Sequence, residues 1–115
     1  MYLLVMVLDD TEHLNGVLSA WTEAGVPGIT ILESTGVNRV LRREAADVAF
    51  AGFSQIFGAG RVGHNTLFSA IEDLALAERA VAATEKVVGN LDGPDTGVVF
   101  VLPLTKTWGI PNNEL

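Results

Sequence analysis

Few residue types in this chain are equipped for chemistry, and their spacing narrows the choice further. The 115 residues include two histidines and no cysteine, so thiolate chemistry and disulfides are excluded. His13 lies among Asp9, Asp10 and Glu12, a grouping that invites a metal reading. A metal site needs three or four converging ligands, and one histidine beside a helix start reads more simply as a solvated first-turn residue. His64 stands on a different element, and no Ser-His-Asp constellation is legible. Glu72 and Asp73 are adjacent carboxylates, but neighbours in a strand point to opposite faces, so they read as a strand end and a helix cap. Gly58, Gly60 and Gly63 have a dinucleotide-like spacing without the strand and helix that would support it. No catalytic or metal-binding residue is assigned.

The basic residues are more informative. Formal net charge is -7, yet Arg39, Arg42, Arg43 and Arg61 crowd into one stretch and make up four of the seven lysines and arginines. An acidic chain with a sequence pI of about 4.5 repels phosphate backbones, which disfavours nucleic-acid binding. The arginine-rich stretch therefore reads as a local anion or protein contact. The alternative is an amphipathic helix over about 42–53 that packs on the domain, with its arginines in water.

These residues need a scaffold. Tyr2 to Leu8 is a short apolar run that suits a central strand. Asp9 and Glu12 have capping-box spacing, and Leu14, Val17, Leu18 and Trp21 give a helical stripe ending at Gly25. That predicts a helix over 11–24. Ile29 to Ser34 and His64 to Ile71 read as the second and third strands. Asp73 caps a second helix whose face is Ala77, Ala80, Val81, Thr84, Val87, Val88 and Leu91. Val98 to Leu104 is the fourth strand, and the tail beyond it is polar with a lone Trp108. Between strands two and three lie about 27 residues, where a hairpin usually needs two to five. The chain reads as a single domain over 1–115, with a long excursion at about 37–63.

This order predicts an α+β, ferredoxin-like βαββαβ domain: a four-stranded antiparallel sheet with both helices on one face. Strands one and four, apolar throughout, are expected at interior positions. Hydrophobic residues make up 49% of the chain and charged ones 18%, richer and poorer respectively than an ordinary domain. In strand one both Leu3, Val5, Val7 and Leu4, Met6, Leu8 are apolar, so the sheet face away from the helices needs a cover. Symmetric self-association supplies one. An extra intrachain layer is the alternative, for which no spare helix is evident. No basic segment precedes the first apolar run and no run is long enough to span a membrane, so a cytoplasmic protein is expected.

Three stretches resemble the PII signal-transduction proteins and their PII-like relatives. They are Ala24-Gly25-Val26-Pro27-Gly28-Ile29-Thr30-Ile31, Gly36-Val37-Asn38-Arg39, and Asp95-Thr96-Gly97-Val98-Val99-Phe100-Val101-Leu102-Pro103-Leu104. Gly63-His64-Asn65-Thr66-Leu67-Phe68 is similar to a stretch in the branch that binds cyclic di-AMP. The resemblance implies a homotrimer in signal transduction, of the nitrogen-regulation kind. It would bind a nucleotide between neighbouring subunits and dock on a regulated protein through a long T-loop. It implies effector contacts at Gly28, Thr30, Gly36, Arg39, Asn65, Asp95 and Gly97, with Thr30 near a base and the Asp92 to Gly97 loop near phosphates. Val98 stands where the family has a lysine, the arginine pair beyond the last strand is absent, and Asp92 and Asp95 add negative charge. The implied effector is thus a small anion, an adenine nucleotide of low phosphate charge. No tyrosine stands in the long loop to be modified. Beside this regulatory reading stands a small enzyme, of isomerase or monooxygenase type, on a dimeric ferredoxin-like scaffold. An RNA-binding module ranks last, because paired strand aromatics and a basic face are missing.

Overall fold

A computed structural model describes residues 1–35 and 63–110. Strand β1 (Tyr2–Leu8) leads through a single 3-10 turn (Thr11–His13) into helix α1 (Leu14–Ala24). Strand β2 (Thr30–Thr35) follows, then β3 (Gly63–Ile71), helix α2 (Leu74–Val88) and β4 (Gly97–Pro103). The four strands form one sheet in the order β2-β3-β1-β4, antiparallel at every pairing. Each βαβ unit leaves a gap between its two strands, and a strand of the other unit fills it. This interleaving is the ferredoxin-like fold.

Period-two alternation decides the layering. Leu4, Met6 and Leu8 of β1 and Leu67 and Ile71 of β3 are almost fully buried against Val17, Trp21, Leu76, Ala77 and Ala80 of the two helices. Trp21 is the largest of these, and its indole N–H donates to Thr84 Oγ1 at 2.8 Å. The helices meet closely at Gly16, where a Cβ would lie 2.9 Å from Val87 Cγ1. Asp73 caps α2, its Oδ1 accepting from the Leu76 N–H at 2.8 Å. The expected cap at Asp73 therefore holds, while Glu72 lies one residue past the end of β3.

Three sequence expectations are corrected. Strand β4 is an edge strand, and β3 takes the interior place beside β1. The apolar residues of β4 do not mark an interior position in the sheet: Val98, Phe100 and Leu102 are 42%, 49% and 46% exposed on the face away from the helices. The cap of the first turn is Asp10, which accepts from the Glu12 N–H at 2.9 Å, and not Asp9. Leu91 lies beyond the end of α2 in the following loop, although it still packs against the core. The long excursion and its expected helix near 42–53 lie outside the described residues.

Candidate functional site

Among the described residues, chemistry-bearing side chains fall into two sets on the sheet. The first is divided between the two sheet edges. At the β2 edge, Gly28 lies in the approach to the strand and Thr30 opens it, both exposed. At the β4 edge, the loop from Gly89 to Gly97 is tied to the end of α2 and within itself. The Leu91 N–H donates to Glu85 Oε2 at 2.9 Å, the Gly93 N–H to the Asn90 carbonyl at 2.8 Å, and the Asp92 N–H to Asn90 Oδ1 at 2.9 Å. Thr96 Oγ1 donates to the Gly93 carbonyl at 3.2 Å. Asp95 adopts a left-handed φ of 61° and is exposed. Gly97 must be glycine, because its φ is 135° and a Cβ there would stand 2.6 Å from the Val7 carbonyl oxygen.

Three strand spacings separate the two edges, about 14 Å in all. Within one chain Thr30 and the Asp92–Gly97 loop therefore stand at opposite edges of the sheet. Asn65 is elsewhere again, on the helix-facing side of β3 opposite Leu8 and Glu33. It is 8% exposed, and its Oδ1 has no hydrogen-bond partner among the described residues. Gly36 and Arg39 lie outside the described residues. The tip of the β4-side loop is acidic, with Asp92 and Asp95 both exposed. Of the described cations, Arg79 and Lys86 belong to α2, while Lys106 stands 5.2 Å from the Trp108 ring centre.

The second gathering was not legible in the sequence. On the open face, successive rows across the strands hold Leu3, Ala70 and Leu102, then Thr30, Val5, Phe68 and Phe100, then Leu32, Val7, Thr66 and Val98. One step further the row turns polar. His64 Nε2 stands 3.4 Å from Asp9 Oδ1, and Ser34, the β2 partner of His64, places its Oγ 2.8 Å from Thr66 Oγ1. The His64 side chain is 13% exposed and that of Asp9 25%. Strand parity would have put Asp9 and His64 each on the open face, but only the pairing of β1 with β3 makes them neighbours.

Among the described residues, no three His, Asp or Glu side chains of one chain converge as a metal site would require. Among the same residues, no helix is long and apolar enough to cross a membrane. No protein-family model matches the chain, and no curated protein matches it.

Proposed function

We propose that the protein is a PII-like regulatory trimer that binds a small anionic effector between subunits and signals to a partner protein through its long loop at about 37–63. The observation that carries this reading is the separation of Thr30 and the Asp92–Gly97 loop on opposite sheet edges. A ring of copies set edge to edge brings the β2 side of one chain to the β4 side of the next. Such head-to-tail contacts close into rings when the rotation allows. The same ring turns the apolar open faces inward, away from water.

The effector is a low-charge adenine nucleotide in this reading. Arg39 offers a planar fork suited to phosphate or carboxylate, and Thr30 a hydroxyl for a base. Asp92 and Asp95 oppose a triphosphate, because like charges at short range repel. Light scattering on the full chain, followed by calorimetry with AMP, ADP, ATP and cyclic di-AMP, tests both halves. A trimer that binds AMP or ADP more tightly than ATP supports the reading. A monomer, or a trimer that binds no nucleotide below millimolar concentration, removes it. A dimer points instead to the small enzyme on a ferredoxin-like scaffold.

A further inference from the structure

The open face is not uniform. Its rows through Leu3, Val5 and Val7 are apolar or nearly so, while the row through Asp9, His64 and Ser34 carries an imidazole, a carboxylate and a hydroxyl. This gradient constrains how copies can cover the face. If the symmetry axis ran across the strands, the polar row of one copy would lie on Leu3, Ala70 and Leu102 of another. The paired carboxylate and imidazole of that row would then exchange water for an apolar surface, a costly burial even for a paired charge. If the axis runs along the strands, apolar rows meet apolar rows and the polar rows meet at one end. Asp9 follows β1 and His64 belongs to β3, the two central columns of the sheet, so these side chains face the axis more directly than anything on β2 or β4.

We infer that His64 of neighbouring copies converges at this end of the assembly to bind a divalent transition-metal ion such as zinc. The inference rests on the ring reading above, because one chain supplies a single imidazole to the site. Two features of the row favour a metal. A ligating histidine usually has its other ring nitrogen held by a carboxylate, which fixes the tautomer and makes the imidazole a better donor; Asp9 stands in that place. Nε2 faces Asp9 at 3.4 Å, which leaves Nδ1 as the ligating atom. Three neutral imidazoles with a water in the fourth position form a tetrahedral set that suits zinc or cobalt. The Ser34 and Thr66 hydroxyls, 2.8 Å from each other, add polar groups at the same end of the face.

The test uses the full chain without an affinity tag, stripped with chelator and titrated with zinc and with cobalt. Mass is measured in parallel. The expected result is about one ion per three chains, with a visible cobalt spectrum typical of tetrahedral imidazole ligation. His64→Gln should abolish uptake and leave the trimer mass unchanged, while His13→Gln should change neither. Asp9→Asn should keep the trimer and weaken binding by roughly 10- to 100-fold, as loss of an outer carboxylate does. An intact trimer that takes up no ion, or a His64→Gln variant that binds cobalt with the wild-type spectrum, overturns the metal site and leaves the ring standing. A monomeric mass overturns both.

Discussion

The indole N–H of Trp21 donates to the Thr84 hydroxyl at 2.8 Å, and that hydroxyl donates in turn to the Ala80 carbonyl at 2.7 Å. Both side chains are essentially inaccessible, so this two-bond relay links α1 to α2 through the centre of the helix layer. A buried donor is tolerated only with a partner. Thr84→Val keeps the volume and removes the acceptor, leaving the indole N–H unsatisfied. Stability in urea should fall by about 1–3 kcal/mol, while Thr84→Ser should lose less. The transition can be followed by fluorescence, with Trp108, 79% exposed, contributing a nearly constant background. A Thr84→Val variant as stable as wild type would mean that the relay contributes nothing.

Gly97 supports a second expectation. A side chain there meets the Val7 carbonyl within the β1–β4 pairing, and backbone shifts would be the only relief. Gly97→Ala should destabilise the domain by about 1–3 kcal/mol through this contact and the unfavourable φ. Amide exchange should show the loss first in β4 and the Asp92–Gly97 loop. Exchange that accelerates evenly through α1 and α2 would argue that the contact is not local.

Phe100 separates assembly from folding. It is half exposed in one chain, on the edge strand, and its row holds Val5 and Phe68. Phe100→Glu should leave the monomer folded, because the carboxylate can reach water. In the ring it would sit among apolar groups, at a cost of several kcal/mol per copy. The expected result is a monomer with native circular dichroism at micromolar concentration. A trimer of unchanged mass would show that the open face is not the interface.

The elements themselves were legible, because periodicity and caps are local: the strand runs, the Trp21 stripe and the Asp73 cap all fall where the spacing puts them. What failed was pairing. The apolar alternation of Val98 to Leu102 is the same whether a strand is flanked on both sides or lies at an edge with a face to cover, so composition alone misplaced β4. Asp9 has the capping-box spacing to Glu12, yet Asp10 caps the turn, and one residue of register sends Asp9 to His64 instead. The Asp9–His64–Ser34 row depends on two strand registers at once, which no local pattern encodes. Of the expected effector residues among those described, Gly28, Thr30 and Asp95 are exposed at the two edges and Gly97 is half-buried at the start of β4, whereas Asn65 is under the helices.

The last expectation concerns the choice among nucleotides. Asp92 and Asp95 are exposed at the tip of the β4-side loop, where the proposed site would receive phosphates, and no lysine follows at Val98. Asp95→Asn is the cleanest probe, because asparagine accepts the left-handed φ of 61° as readily as aspartate does. The loop's internal bonds involve Asn90, Leu91, Gly93 and Thr96 and not the Asp95 carboxylate, so they should survive. Removing one exposed like charge a few ångströms from a phosphate is worth about 1 kcal/mol in water. That corresponds to roughly a five-fold gain in affinity, larger for ATP than for AMP because more phosphate charge is relieved. Asp92→Asn should add to it, and high salt should erase the gain by screening. Calorimetry of wild type and both variants with ATP and AMP reads the ratio directly. An ATP-to-AMP preference unchanged by either substitution would place the phosphates away from this loop, and with them the proposed intersubunit site.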